Sequence, residues 1–194
     1  MKVLRRIDPA LILPMAFEHY LWKEMEECHF KITTVLCRQG HITRHAWFVV
    51  RGFITLSYVD ENGQKHVMRI YRENRICGLI SFILQRRSLY TIEASKDAML
   101  LSISYEALAG LYKMDPRMEL FVLKASMEYE HYKEQFRENL LFGKSAEEKV
   151  AEFYSIFKAL LNTRRVILDE DVAWYLHISV RALRLARTAY RKNK

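Results

Sequence analysis

The stretch Ile54-Thr55-Leu56-Ser57-Tyr58-Val59-Asp60-Glu61-Asn62-Gly63 alternates Ile54, Leu56 and Tyr58 with Thr55, Ser57 and Val59, then breaks into four turn-forming residues. A period of two puts alternate side chains on opposite faces of a strand. Asp60-Glu61-Asn62-Gly63 lets the backbone reverse before the next apolar run, Lys65 to Tyr71, so the segment predicts a β-hairpin. Outward from it, Gly40, Gly52, Gly63 and Gly78 punctuate β-branched and aromatic runs from about Ile32 to Ile103. Short strands at such regular spacing predict a small barrel or roll. On the N-terminal side, Leu13, Phe17, Leu21 and Met25 recur every four residues and predict a short packing helix between about residues 10 and 30. Glu24, Glu26 and Glu27 read as its solvated face.

Beyond Asp115-Pro116 the period lengthens. Met118, Val122, Ala125, Tyr129, Tyr132 and Phe136 are spaced four, three, four, three and four apart, a heptad seam on one long helix. Such a seam either packs on its own roll or pairs with a second copy of itself. Glu128, Glu130, Lys133, Glu134 and Arg137 solvate the other faces, which favours pairing in a homodimer. Gly143 interrupts this helix, and Ser145 with Glu148 three residues later forms a capping-box signature for the next one.

From Asp169 to Thr188 the residues meet the requirements of a helix-turn-helix. Ala173 is small where two helices must cross, while Val172, Leu176, Ile178, Leu183 and Ala186 fill the apolar offsets. His177 stands at the turn in place of glycine, at some cost in backbone strain. The acidic Asp169-Glu170-Asp171 suits the first helix's N-terminus, and Ser179 suits the second helix's N-cap. That second helix carries Arg181, Arg184, Thr188 and Arg191 on one stripe, flanked by Arg187 and Lys192. Ser179 to Lys194 contains six basic residues and no acid. The candidate DNA-contacting residues are therefore Ser179, Arg181, Arg184, Arg187, Thr188 and Arg191.

Composition agrees with this division of labour. The chain has 194 residues, 51% of them hydrophobic, enough for a true core. A net charge of +8 and a pI near 9.4 favour a polyanionic partner. Three cysteines, Cys28, Cys37 and Cys77, lack paired spacing and support neither a disulfide framework nor a four-thiolate cluster. Met1 to Arg6 is charged, but Asp8, Pro9 and Pro14 cut the apolar run that follows, so no signal peptide is expected. No run is long enough to suggest a membrane span, and a cytoplasmic protein is expected. Neither a glycine-rich phosphate loop, nor HExxH, nor a nucleophile elbow, nor a partnered carboxylate cluster is present, so the chain is not read as an enzyme or a metal-binding protein.

In its order of parts the chain resembles the Crp/Fnr family of transcription regulators. The resemblance runs from about Leu36 to Arg191. It is carried by Trp47-Phe48-Val49-Val50-Arg51-Gly52, Glu61-Asn62-Gly63-Gln64, Ser81-Phe82-Ile83, Ile92-Glu93-Ala94, Leu101-Ser102-Ile103-Ser104-Tyr105 with Asp115-Pro116, and Ser145-Ala146-Glu147-Glu148-Lys149. It implies an α+β protein with three parts. These are an N-terminal double-stranded β-helix, the jelly-roll of cyclic-nucleotide-binding domains, over 1–115; a dimerisation helix over 116–142; and a helix-turn-helix domain over 143–194, its C-terminal wing truncated. It also implies a cytoplasmic homodimer that binds DNA, with RNA polymerase as a further candidate partner and no membrane association.

The phosphate cassette departs from the family. Cyclic-nucleotide binders have a Gly-Glu pair and then Arg-Ser or Arg-Thr, the arginine neutralising the phosphate. Here Gly78 precedes Leu79, and Arg87-Ser88 follows at a shorter spacing. Lys133 and Glu134 occupy the dimer-helix positions of the family's hydroxyls. Gly78, Arg87, Ser88 and Tyr132 remain the candidate ligand residues, for an unidentified small effector other than cyclic AMP. The recognition helix also differs: Arg181 and Leu185 stand where the family commonly has a glutamate and an arginine. A second reading is therefore a ligand-binding or protein-docking module whose degenerate helix-turn-helix no longer holds DNA.

Overall fold

The structure is a computed structural model that describes residues 15–161 and 167–192. Leu13 of the predicted first helix, the Met1 to Pro14 stretch read for a signal peptide and Lys194 of the basic tail lie outside the described residues. Eight strands follow one short helix: α1 (Met15–Glu24), β1 (Glu26–Phe30), β2 (Thr34–Cys37), β3 (His45–Arg51), β4 (Ile54–Val59), β5 (Lys65–Tyr71), β6 (Ile76–Cys77), α2 (Leu79–Ile83), β7 (Thr91–Ala94) and β8 (Ala98–Ser104). Then come α3 (Tyr105–Met114), the long α4 (Arg117–Leu141), α5 (Ala146–Ile156), a 3-10 turn (Lys158–Leu161), α6 (Asp169–Leu176) and α7 (Val180–Lys192).

The strands form an antiparallel β-roll of two four-stranded sheets, one ordered β1-β8-β3-β6, the other built of β2, β7, β4 and β5. The predicted hairpin is β4 and β5. Its turn is held by Asp60, whose Oδ1 accepts the backbone N–H groups of Asn62 and Gln64 at 2.9 Å each. The predicted N-terminal helix is shorter than expected. It ends at Glu24, and Glu26 and Glu27 belong to β1, where they pair with Ser102 and Leu101. Ladder hydrogen bonds to β8 outweigh a four-residue apolar period that Met25 alone would have extended.

The chain divides into two compact units, residues 1–54 with 71–132, and residues 55–70 with 133–194. In the first, α1, α3 and the start of α4 share a core made of Phe17, Leu21, Ala46, Phe82, Leu108, Leu111 and Met118. Burying side chains of this size contributes roughly 1.5–3 kcal/mol each. Helix α3 starts at Ser104, whose hydroxyl accepts from the N–H of Ala107 at 3.1 Å. In the second unit α5, α6 and α7 enclose Val150, Phe153, Tyr154, Val172, Leu176 and Leu183, all at most 3% exposed. The predicted capping box opens α5, with Ser145 accepting from the N–H of Glu148 and Glu148 from the N–H of Ser145.

The predicted dimer seam on α4 is divided by the fold, and as a correction Met118 and Tyr129 are covered within the chain itself. Met118 is 7% exposed and belongs to the core of the first unit. Tyr129 is 5% exposed, its hydroxyl accepting from the N–H of Ile76 at 3.0 Å, and burial pushes its ionisation up to about 12. Val122, Ala125 and Phe136 are half-buried, and only Tyr132 is exposed. The outward apolar residues of α4 are instead Leu120, Met127 and Tyr132. A heptad stripe reports that one helix face is covered, not what covers it.

Candidate functional site

Helices α6 and α7 meet as the sequence requires of a helix-turn-helix. Helix α6 ends at His177, which adopts a left-handed conformation (φ 53°, ψ 48°). The N–H of Ile178 reaches back to the carbonyl of Ala173 at 3.0 Å, the wrap normally closed by a glycine. Burial, with Arg137 and Lys149 nearby, holds the His177 imidazole below its ordinary pKa. Ser179 caps α7 as expected, accepting from the N–H of Ala182 at 3.1 Å. Leu183 and Ala186 face inward at 0% and 4% exposure.

The arginines of α7 divide into two kinds. Arg181, Arg184, Thr188 and Arg191 are exposed, and so are Leu185 and Lys192. Arg187, expected among the DNA-contacting residues, points inward instead, with its side chain 8% exposed. Its guanidinium donates to both oxygens of Asp169, at 2.6 and 2.9 Å, and to the Tyr154 hydroxyl at 3.3 Å. This planar two-point pairing holds the start of α6 against the middle of α7 and α5. The pair holds the Asp169 carboxyl down at about 2 and raises Arg187 further above its ordinary range. As a correction, Arg187 is turned inward, where it fastens the crossing of α6 and α7 instead of facing a phosphate.

The other stripe residues keep their outward position with local tethers. Arg184 donates its Nε–H to Asp169 at 2.9 Å while most of its side chain stays in solvent. Thr188 donates back to the carbonyl of Arg184 at 2.9 Å, and Arg191 donates to the carbonyl of Leu161. The outward face of α7 thus presents Arg181, Arg184, Thr188 and Lys192 around Leu185, which is 64% exposed.

A feature with no sequence signal links β5 to α6 inside the second unit. His66 is buried, its Nε2 lies 2.7 Å from Asp60, and its ring stacks on Tyr58 with centroids 4.9 Å apart. The edge of the same ring meets Trp174 at 4.1 Å. Its Nδ1 is buried without a hydrogen-bond partner among the described residues. Tyr58, Asp60 and His66 lie on one hairpin, but nothing in their spacing points to a tryptophan more than a hundred residues later.

Each of the candidate ligand residues Arg87, Ser88 and Tyr132 has a partner within the chain. Gly78 has φ 84° and precedes α2, and a Cβ there would lie 3.3 Å from the Trp47 ring. Arg87 is exposed and donates to the carbonyl of Gly40 at 3.0 Å. Ser88 is buried and bonded to its own turn, donating to the carbonyl of Tyr90 and accepting the N–H of Tyr90. Tyr132 is exposed beneath Arg75, whose guanidinium carbon is 5.9 Å from its ring centre. No group of three or more histidines, cysteines or acids able to hold a metal occurs among the described residues. Cys28, Cys37 and Cys77 are free thiols. No helix among the described residues is long and apolar enough to cross a membrane.

Among curated proteins, none matches this chain significantly. Among solved structures, the chain is similar to FixK2 from Bradyrhizobium japonicum, at 16% identity and a TM-score of 0.67, covering 87% of this chain and 85% of that one. It is also similar to the catabolite activator protein of Thermus thermophilus, at 17% identity and a TM-score of 0.55, covering 98% and 87%. The c-di-GMP-responsive global regulator CLP of Xanthomonas campestris matches at 11% identity and a TM-score of 0.61, covering 93% of each chain. These likenesses establish a shared fold. Residues 27–115 match the cyclic nucleotide-binding domain family, and the roll shares the fold of such domains within a Crp-like α+β architecture.

Proposed function

We propose that the protein is a DNA-binding transcription regulator of the Crp/Fnr type, working as a dimer with the β-roll as its sensor. The observation that carries this reading is the outward face of α7. Arg181, Arg184, Thr188 and Lys192 project from a helix whose crossing with α6 is clamped by the Asp169–Arg187 pair. A rigid helix with clustered cations and no acid of its own suits a major groove. Helix α4 is the dimerisation element of this reading, through its exposed Leu120, Met127 and Tyr132. RNA polymerase is the further partner such a regulator would contact.

The effector of this regulator is a small molecule other than cyclic AMP. Leu79 supplies no carboxylate to a ribose, Arg87 is bonded to the carbonyl of Gly40, and Ser88 is bonded to its own turn. Leu185, 64% exposed in the middle of the outward face, favours the second reading, a protein-docking module, because an apolar side chain there contributes nothing to phosphate binding.

Anisotropy titrations of the full chain against genomic DNA fragments across a salt series separate the two readings. A DNA-binding regulator loses affinity steeply with salt. Arg181→Glu with Lys192→Glu should lower affinity at least about tenfold and leave the melting temperature unchanged. Salt-independent or absent binding of the wild-type chain would overturn the proposal in favour of docking.

A further inference from the structure

The first unit contains a partly open cavity of about 210 Å³ lined by α1, α3, the face of β3 and β8, and the first turns of α4. Trp22, Trp47, Phe82, Met118, Ala125 and Ser126 are among its lining residues, and the lining is almost wholly apolar. None of Gly78, Arg87, Ser88 and Tyr132 contributes to it, and from the nucleotide cassette only the apolar Leu79 reaches its wall. We propose that this cavity is a binding site for an uncharged, mainly apolar small molecule with one hydroxyl or amide N–H end.

The chemistry of the walls sets this class. A space lined by hydrocarbon offers water no partners, and an apolar cavity of roughly 150 Å³ stays dry and takes up a molecule the size of benzene. By that measure this one accommodates about eight non-hydrogen atoms. No charged side chain lines it, so an ionised or phosphorylated ligand would be desolvated without compensation. Two serines are among the lining residues, Ser102 and Ser126, both 4% exposed. Ser126 donates its proton to the carbonyl of Val122 at 2.7 Å, which leaves its oxygen to accept from a ligand O–H or N–H. A second copy of the chain is a poorer occupant, because the outward apolar residues of α4, Leu120 and Met127, are not among the lining. Met118, Val122 and Ala125 form one wall, so occupancy bears directly on α4. Any effect on DNA binding rests on the regulatory reading above; binding itself does not.

Trp22 and Trp47 make the site self-reporting. Full-length protein titrated with 1-butanol, 1-hexanol, 1-octanol and 1-dodecanol should show tryptophan emission changes whose affinity rises about fourfold per methylene and then levels off near eight carbons. Octanoate, the charged counterpart, should bind at least about tenfold more weakly than octanol. Ala125→Phe fills the cavity and should abolish the response. Phe121→Ala enlarges it and should move the plateau to longer chains, a test that stands even where the filled variant fails to fold. An emission change absent for every alcohol, an affinity that keeps rising through dodecanol, or a plateau unmoved by Phe121→Ala would overturn the proposal. So would an emission spectrum that shifts with protein concentration alone, which would identify a second copy as the occupant. Each result is read without DNA, so failure of the cavity proposal is distinguishable from failure of the DNA-binding reading.

Discussion

Arg87 in the roll and Arg187 in the helix-turn-helix are the same residue type, each expected from sequence to meet a phosphate, and the structure gives them opposite fates. Arg87 lies in solvent with one bond to the carbonyl of Gly40. Arg187 is nearly inaccessible, paired at two points with Asp169 and bonded to Tyr154. Around Arg87 the turn carries no partner carboxylate and no converging hydroxyl, since Ser88 is committed to Tyr90. Around Arg187 three helices converge on one guanidinium. An arginine's role is therefore set by how deeply it is buried and what faces it, and its type alone marks only the potential for anion binding.

The sharpest way to break this contrast is to remove each guanidinium in turn. Arg187→Ala leaves the Asp169 carboxylate largely shielded from water with its main partner gone, and should cost about 3 kcal/mol in urea denaturation. Arg87→Ala, at the other end of the scale, should cost less than about 0.5 kcal/mol, because water replaces an exposed bond. Equal losses at the two sites would show that the inward placement of Arg187 has no energetic weight.

A second, smaller effect concerns acid. Asp169 has a folded-state pKa of about 2, below its ordinary 3.8. A depressed carboxyl contributes stability that is complete above its unfolded pKa and is lost as pH falls through the folded one. The helix-turn-helix should therefore lose stability between about pH 4 and pH 2, and Asp169→Asn should flatten that part of the curve, read by circular dichroism at 222 nm. An acid limb unchanged in the variant would assign the loss to other carboxylates.

The third effect returns to the roll. Gly78→Ala places a Cβ at positive φ, 3.3 Å from the Trp47 ring, and should destabilise by about 1–2 kcal/mol. Tryptophan emission should shift with it, since Trp47 is the neighbour that must move. A neutral substitution would mean that this cassette glycine no longer constrains the backbone.

Much of the fold is legible in the chain because its signals are local. Asp60 closes its own turn within four residues, Ser145 and Glu148 cap each other, and Ser179 caps α7 three residues ahead. His177 was readable as a strained turn for the same reason, since the six-residue wrap from Ala173 to Ile178 closes around it. Glu26 and Glu27 were misread because their partners in β8 lie some seventy-five residues away. In the same way the α4 seam was legible as a covered face, while its cover, the roll's core at Met118 and Ile76 at Tyr129, was not.

By itself the sequence determined the element types, the turn chemistry, the two caps and the concentration of positive charge on the last helix, because each depends on residues within a turn or two of one another. Only the tertiary structure decided that Arg187 turns inward to Asp169, that His66 meets Trp174, and that an apolar space opens beside α4. Those outcomes depend on which side chains distant in sequence come to share a volume, and on the low polarity there that strengthens a paired charge and penalises an unpaired one.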